Sequence, residues 1–452
     1  MMVIRRYRIA AATLVSAVVT ASILATDLNR GFNFDESVNV EAVIQRGSAW
    51  SALSGTETFN NHPVFAVGQS VWWALGGDGE ARQRIFPIFY GVAAVALVCW
   101  WASRRLGVLA GVCAAAVVAL NPMFVGQARS VRGYSLVVLC VVVATIALIE
   151  YLRSSDPRWL VPYVVAVIGA LGTHPFAGVP LGALSLAAVA SRRRLDLELA
   201  AAWFVAAGGT LLVYLPSFDV LRDSVGVKGS RYIPWAGRTT LSELLGRDTV
   251  TEWLLAGVLA VAAALIARRS DLRWPTAVLA GLVVGQFLLF WQVIKPWDFF
   301  PRFFLGVLPM IALGVAWAVR RVPWLAAVVM FALLFTVGNV NTERTRNIPI
   351  RETADVIQRS RAAGLEPCIV GGGPIRLYAP PPRELAAVGP DAAAQLEACD
   401  VFIRIGGWGR PLLTPARVLF AHEGRIAGQF EVFANVPLDQ LGPDVVALAG
   451  ER

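Results

Sequence analysis

Eleven apolar runs of roughly 15 to 20 residues occupy most of the first three quarters of this 452-residue sequence. A helix needs about 20 predominantly apolar residues to cross the hydrocarbon core of a bilayer. The hydropathy pattern therefore predicts an all-α polytopic membrane protein with about eleven transmembrane helices. The predicted spans are 9–26, 85–102, 107–125, 133–152, 159–173, 175–190, 200–217, 252–267, 275–294, 303–319 and 322–340.

The composition excludes several other classes of protein. Apolar residues make up 56% and charged residues 16% of the chain, against about 25% charged residues in soluble domains. With a mean hydropathy of +0.60, this balance excludes a soluble single-core enzyme, a disordered chain, a coiled coil and collagen. The net charge of +9 comes mainly from short connections between apolar runs, so we predict no nucleic-acid partner.

Arginine clusters mark every second connection. Short loops rich in Lys and Arg stay in the cytoplasm, so eleven crossings from a cytoplasmic N-terminus put every cluster inside and the C-terminus outside. A cleaved signal peptide over the first run is the alternative. The apolar stretch 64–75 is too short to cross, and we predict a helix in the outer interface there. The basic connections are 5–8, 104–105, 153–158, 192–194, 268–273 and 320–321.

The composition changes after residue 340, where prolines and scattered charges replace the long apolar runs. We predict a transmembrane domain over 1–340 and a small extracytoplasmic α/β domain over 341–452. Helical spacing and a closing glycine predict a helix over 351–364. Short apolar segments bounded by turn residues predict strands over 368–373, 400–407, 416–420 and 426–435.

Two of the five cysteines, Cys368 and Cys399, each lie at the start of a predicted strand of the outer domain. Two interpretations stay open. One is a disulfide between them, which an oxidising compartment permits, and the other is two buried free thiols. The remaining cysteines lie in predicted spans and have no metal-site spacing.

An acidic pair, Asp35 and Glu36, follows the first predicted span at the outer face. Carboxylates held at a membrane surface can act as a general base or bind a divalent cation. The alternative is a helix cap, since an aspartate suits the positive end of a helix dipole. His62, just ahead of the interfacial stretch, and His174, at the outer end of the fifth span, are either site residues or ordinary loop histidines.

Basic side chains gather at the same outer face, against the usual preference for the cytoplasm. Arg129 and Arg132 lie three residues apart after the third span, and Arg302 enters a late one. The only two lysines, Lys228 and Lys295, also fall in outer loops. Because guanidinium groups match phosphate oxygens bidentately, this grouping indicates an anionic phosphate ligand.

Six short motifs occur in a fixed order over about the first 320 residues. They are Asp35-Glu36, Asn61-His62-Pro63, Arg104-Arg105-Leu106-Gly107, Ala128-Arg129 to Arg132-Gly133-Tyr134, Thr173-His174-Pro175-Phe176-Ala177 and Pro301-Arg302-Phe303-Phe304. In these motifs the chain resembles the polytopic glycosyltransferases of the GT-C superfamily. It is similar in particular to the branch of protein O-mannosyltransferases, lipid A aminoarabinose transferases and rhizobial lipopolysaccharide-core transferases.

The resemblance implies the transfer of one sugar, with inversion, from a polyprenyl-phosphate donor to an extracytoplasmic glycan, glycolipid or protein at a bacterial plasma membrane. It implies that Asp35 is the general base and that Glu36 orients Asp35 or contacts a sugar hydroxyl. A Mg²⁺ or Mn²⁺ ion at this pair stays open, because many relatives carry a second acid where this chain has Ser130. The candidates for the lipid phosphate are Arg129, Arg132, Lys295 and Arg302, and the other substrate-binding candidates are His62, Tyr134 and His174.

Two other functions remain alternatives. A flippase or exporter of lipid-linked saccharide would place ionisable residues near mid-span and would often carry internal repeats, whereas these spans are almost free of charge. A non-catalytic protein would bind cell-wall glycan through its outer domain. Replacement of Asp35 by asparagine separates them, since only a transferase would lose turnover while still binding polyprenyl phosphate.

Overall fold

The chain forms two compact units, Met1–Leu28 with Arg46–Thr345, and Asn29–Gln45 with Arg346–Arg452. The predicted first domain, 1–340, included the segment 29–45, which groups here with the second unit. The structure is a computed structural model, and it describes residues 2–26, 28–29, 31–32, 34–44, 48–54, 62–77, 79–192, 196–219, 222, 242–268, 301–345, 350–362, 364–370, 383–385, 401–405, 417–424 and 428–434.

Helices occupy ten of the eleven predicted spans, and the remaining one, 275–294, lies outside the described residues. Within the described part, five helices are long and apolar enough to cross a membrane, and a sixth if the bent pair α6 and α7 is one span. The helices are α1 (Met2–Leu24), α2 (Phe34–Asn39), α3 (Ala49–Ser54), α4 (Pro63–Ala74), α5 (Glu80–Leu106), α6 (Val108–Ala119), α7 (Pro122–Ala128), α8 (Tyr134–Ser154), α9 (Leu160–Thr173), α10 (Gly178–Arg192), α11 (Leu197–Tyr214), α12 (Thr249–Ala267), α13 (Leu308–Arg321), α14 (Leu325–Thr345) and α15 (Ile350–Ala362).

The predicted span 107–125 is a broken helix, in which α6 and α7 meet at 66°. Pro122 lacks the N–H that would continue the helical ladder, so the helix restarts there. The buried Asn121 side chain accepts a hydrogen bond from the Phe124 N–H at 2.9 Å and donates to the main-chain oxygen of Glu243 at 3.0 Å. It thus satisfies the N–H of Phe124 at the start of α7, and the predicted span is a bent pair of helices.

Helix α8 is central to the first unit and packs against α5 and α9. Val138 and Val142 belong to one apolar cluster with α5 and α6, whereas Val141, Ala144 and Leu148 belong to a second cluster with α9. Two apolar faces at helical spacing predict a helix that is buried on most sides. Packing on both faces therefore holds α8, and with it the residues at its two ends, in place within the unit.

Arginine clusters from three segments meet at one end of the helices. Arg5 and Arg320 donate to the main-chain oxygens of Arg104 and Arg105, each at 3.0 Å. Arg105 also forms an ion pair with Glu150, near the end of α8. The structure thus brings together clusters that the eleven predicted crossings place on one side of the membrane. The assignment of that side to the cytoplasm rests on the positive-inside rule.

Helices α5 and α6 approach closely at Gly111, where an added Cβ would lie 2.7 Å from the main-chain oxygen of Cys99 and against the Ser103 side chain. A contact with backbone cannot be relieved by a rotamer change. We therefore expect Gly111→Ala to destabilise the protein by about 1–3 kcal/mol, measured as a lower thermal unfolding midpoint in detergent. Gly208→Ala is the matched control, because a Cβ there meets nothing within 4 Å. Equal midpoints for the two variants would contradict this packing.

The strands of the second unit form one five-stranded sheet in the order β2-β1-β3-β5-β4. Strand β1 pairs in parallel with β2 and β3, while β5 pairs antiparallel with β3 and β4. Strand β2 was not predicted, because its three residues are too few for a periodic pattern. The strands are β1 (Pro367–Val370), β2 (Arg383–Leu385), β3 (Val401–Ile405), β4 (Arg417–Gly424) and β5 (Gly428–Ala434).

Two further predictions concern the chain around β1. The predicted helix over 351–364 is α15, and it closes at Gly364, whose φ of +76° favours glycine. Cys368 is disulfide-bonded, so the free-thiol alternative is wrong for this residue. Its predicted partner, Cys399, lies outside the described residues.

Candidate functional site

Two histidines and a tyrosine meet at the end of the helices opposite the basic end. Tyr134 is the first residue of α8, His174 follows the last residue of α9, and His62 precedes α4. Glu150 lies near the other end of α8, so the rise of 1.5 Å per residue separates Tyr134 from it by about 24 Å. Residues distant in sequence therefore converge where the spans were predicted to reach the outer face.

Five rings form what we call the histidine cluster: His62, Tyr134, His174, Phe176 and Phe303. The ring centroids of His62, Tyr134 and His174 lie 5.0 to 5.4 Å from one another. Phe303 lies 5.0 Å from His174 and stacks on Phe176 at 4.5 Å. The sequence-predicted candidates His62, Tyr134 and His174 are thus in mutual contact.

The two His-Pro pairs explain how the histidines are placed. Proline is favoured in the first turn of a helix, so α4 begins at Pro63 and a 3₁₀ turn begins at Pro175, each leaving a histidine at the entrance. The N–H of Phe176 donates to Nδ1 of His174 at 3.3 Å. Because Nδ1 accepts, neutral His174 carries its proton on Nε2.

Gly133 permits the close approach of α8 to this cluster. An added Cβ would press on the Thr173 side chain and lie 3.0 Å from Cβ of Phe65 and 3.1 Å from Nδ1 of His62. That nitrogen also lies 3.2 Å from the main-chain oxygen of Thr173. The glycine of the Arg132-Gly133-Tyr134 motif thus has a packing reason in this fold.

Two arginines flank the histidine cluster. The guanidinium carbon of Arg132 lies 5.2 Å from the ring centroid of Tyr134. Burial, together with the positive charges of Arg132 and Arg302, lowers the pKa of His174 to about 3. Burial, Arg132 and then His174 also hold the pKa of His62 well below its usual range. Both histidines are therefore neutral at physiological pH, and the arginines carry the positive charge.

Several polar side-chain atoms around the cluster are buried and have no hydrogen-bond partner among the described residues. Leaving a buried donor or acceptor unsatisfied costs about 1–3 kcal/mol, and such groups deserve an explanation wherever they concentrate. Their position beside two arginines suggests a ligand site. They are Tyr134 Oη, Ser135 Oγ, Thr173 Oγ1 and His174 Nε2.

Arg129, predicted to hold phosphate, contacts the end of α1. It is buried, and its guanidinium donates to the main-chain oxygen of Thr26. Arg84, also buried, donates to the main-chain oxygen of Leu28 at 2.8 Å. The two arginines thus hold the chain on either side of residue 27, just before the acidic segment. Sequence reasoning missed Arg84, although a charge at the edge of a predicted span was a usable signal.

The acidic pair lies on α2, in the second unit. Glu36 is fully buried, and carboxylates are almost never fully buried without a partner, so its environment suits an orienting group. The approach of Asp35 to the arginines remains a prediction. Lys295, like Asn61 and Lys228, lies outside the described residues.

A divalent cation has no evident ligand set in the described part of the chain. No three His, Cys, Asp or Glu side chains gather there in a way that could hold a metal ion. Sites for Mg²⁺ or Mn²⁺ are built from several oxygen ligands, whereas the histidine cluster is flanked by two arginines.

The neutral histidines make stability depend on pH. In the unfolded chain a histidine has a pKa of about 6.5, so below that pH the unfolded state binds more protons than the folded state, and acid destabilises the fold. For His174 the expected loss between pH 7.5 and 5 is about 2 kcal/mol. We expect His174→Gln to flatten the fall of the thermal midpoint over this range. His422→Gln, in β4, is the control, and an unchanged slope in His174→Gln would contradict the assignment.

Comparisons with known proteins identify the fold. No model of a known protein family and no curated protein sequence matches the chain. Solved structures do match. ArnT from Cupriavidus metallidurans in the apo state has a TM-score of 0.61 and 13% identity, and the match covers 96% of this chain and 99% of that chain. The same protein bound to undecaprenyl phosphate has a TM-score of 0.59, 14% identity and the same coverage.

A second match is the arabinofuranosyltransferase AftD from Mycobacteria, with a TM-score of 0.52 and 16% identity. It covers 97% of this chain but only 40% of AftD. The likeness therefore concerns one part of AftD and nearly the whole of ArnT. Together with the apolar helices, these matches confirm the predicted polytopic architecture: the chain is a multi-pass membrane protein with the fold of the GT-C glycosyltransferases.

Proposed function

We propose that the chain is an integral-membrane glycosyltransferase that moves one sugar from a polyprenyl-phosphate donor to an extracytoplasmic acceptor, with inversion. One observation carries the proposal. Arg132 and Arg302 flank a buried cluster of neutral histidines and unsatisfied polar groups at the end of the helices opposite the basic connections. A lipid phosphate needs such a place, where its charge is matched while its chain stays in the bilayer.

The two arginines support the phosphate-binding half of the proposal. Guanidinium groups form bidentate, charge-assisted hydrogen bonds with phosphate oxygens. Because the neighbouring histidines are neutral, the positive charge that attracts the phosphate comes from the arginines. ArnT from Cupriavidus metallidurans, which shares this fold, has been solved bound to undecaprenyl phosphate, and we infer the same class of lipid here. Lys295 remains a further candidate from the sequence.

Asp35 is the proposed general base, on the strength of its position after the first span and of the motif resemblance. It takes the proton of the acceptor hydroxyl as the acceptor oxygen bonds to the anomeric carbon. The bond from that carbon to the phosphate oxygen breaks, and the electron pair leaves with the phosphate. Attack opposite the leaving group inverts the configuration. The arginines neutralise the charge that grows on the departing phosphate.

The sidedness follows from the positive-inside rule. With the arginine clusters in the cytoplasm, the histidine cluster faces the outer side of a bacterial plasma membrane, and so does the α/β domain. We propose that the acceptor, a cell-envelope glycan, a glycolipid or a protein, lies at this outer side.

Transfer can be tested with purified protein in liposomes, a panel of radiolabelled decaprenyl-phosphate sugars and a membrane extract. We expect the label of one donor to move to a new acceptor, with release of decaprenyl phosphate. Label that crosses the bilayer still attached to its lipid would instead identify a flippase. Failure of every donor, with a protein that binds none of them, would overturn the proposed function.

A further inference from the structure

Three unsatisfied groups of the candidate site are neighbours. The rings of Tyr134 and His174 lie 5.4 Å apart, and Thr173 precedes His174 in the chain. Tyr134 Oη, Thr173 Oγ1 and His174 Nε2 are all buried without a hydrogen-bond partner among the described residues. Buried polar side chains normally have partners, so three such atoms on neighbouring side chains indicate a ligand that supplies the missing bonds.

The chemistry of these atoms selects the ligand group. The two hydroxyls can donate or accept, and His174 offers an N–H donor because its Nδ1 already accepts from Phe176. None of the three groups carries a charge at neutral pH. Sugar hydroxyls, which both donate and accept, complement such a set, whereas a phosphate is better matched by the arginines nearby.

The charges around the subsite argue against a cationic sugar. Among the described residues, the charged side chains that lower the pKa of His174 are Arg132 and Arg302, both positive. An ammonium group placed among them would be repelled, and more strongly in a buried site than in water. A carboxylate on the sugar would compete with the donor phosphate for the same two guanidinium groups. An uncharged sugar avoids both costs.

Two half-buried side chains lie beside the subsite. Arg132 lies over the ring of Tyr134, and Phe303 lies 5.0 Å from the ring of His174.

We propose that Tyr134, Thr173 and His174 form a subsite that hydrogen-bonds the hydroxyl groups of an uncharged sugar on the lipid donor. The inference rests on the proposed function and deepens it, because it names the chemical class of the transferred group. It also separates the site into a charged part for the phosphate and a neutral part for the saccharide.

The test measures binding to the full chain in nanodiscs. The probes are undecaprenyl phosphate, its esters with mannose and with arabinose, and its ester with 4-amino-4-deoxyarabinose. We expect an uncharged sugar ester to bind more tightly than the amino sugar ester. We expect Thr173→Val and Tyr134→Phe each to weaken binding of that uncharged ester by about tenfold and to change binding of undecaprenyl phosphate by less than about twofold.

Two matched control variants each remove a hydroxyl that already has a hydrogen-bond partner within or between helices. Thr145 Oγ1 donates to the main-chain oxygen of Val141 at 2.7 Å, and Tyr163 Oη lies 2.8 Å from Ser185 Oγ. Thr145→Val and Tyr163→Phe repeat the same chemical changes away from the cluster. Both controls should bind every probe as the wild type does.

The outcomes separate a failure of the sugar subsite from a failure of the proposed glycosyltransferase function. If the wild type binds the lipid phosphate but Thr173→Val and Tyr134→Phe weaken all probes equally, or weaken none, the subsite is wrong and the proposed function stands. Tightest binding of the amino sugar ester would also overturn the subsite. If the wild type binds no polyprenyl phosphate, the proposed function fails and the subsite fails with it.

Discussion

Replacing Asp35 by asparagine is expected to lower kcat by about three orders of magnitude, since a positioned general base contributes about 10²–10⁴-fold. Asparagine keeps the shape of the side chain but cannot take the acceptor proton. The acceptor would then attack as a neutral alcohol. Binding of polyprenyl phosphate should change little, because the phosphate is assigned to arginines. The measurement is turnover with the active labelled donor, together with lipid binding in nanodiscs.

Glu41→Gln is the matched control, since Glu41 lies in the same segment, on the π-helical turn Val40–Ile44. It removes one carboxylate of that segment without touching the proposed base. We expect its turnover to stay within about twofold of the wild type, because the proposed base is unchanged. Full activity in Asp35→Asn would remove Asp35 from the reaction, and equal losses in both variants would indicate a general effect of charge in this segment.

Much of the architecture could be predicted because the bilayer constrains it. A spanning segment must be apolar and about 20 residues long, so hydropathy places the helices. Arginine clusters at 5–8, 104–105 and 320–321 were predicted to share a side, and they meet at one end. The His-Pro pairs were recognised as site elements, and each histidine does stand at the entrance of a turn or helix that begins with proline.

Other features depend on packing between distant segments, which periodicity does not encode. The contact of His62 with His174 joins residues on separate helices. Helix α7 ends at Arg129, and one end of the Arg129 guanidinium donates to the main-chain oxygen of Thr26, a contact that the sequence does not indicate. Its role at the phosphate stays a prediction. The break at Pro122 could have been read from the proline itself. The unsatisfied hydroxyl of Thr173 has no signal in the sequence.

Arg132 and Arg302 differ from Asp35 in the group on which they act: Asp35 acts on the acceptor hydroxyl, and the arginines act on the departing phosphate. The donor is a phosphodiester with one negative charge, whereas the released phosphate monoester carries about −1.5 to −2 at pH 7. Attraction to the arginines therefore grows as the glycosidic bond breaks. Interactions that strengthen in the transition state raise kcat rather than only lowering KM. The arginines should thus be catalytic as well as binding residues.

We expect Arg302→Gln and Arg132→Gln each to lower kcat by about 10²-fold, the loss typical of one removed donor to a developing anion. Affinity for free polyprenyl phosphate should fall more than affinity for the sugar donor, because the free lipid carries the extra charge. Arg158→Gln, on an exposed turn at the opposite end of the helices, is the control. A rise in KM with unchanged kcat would assign the arginines to ground-state binding alone. Wild-type kinetics in both variants would place the phosphate elsewhere.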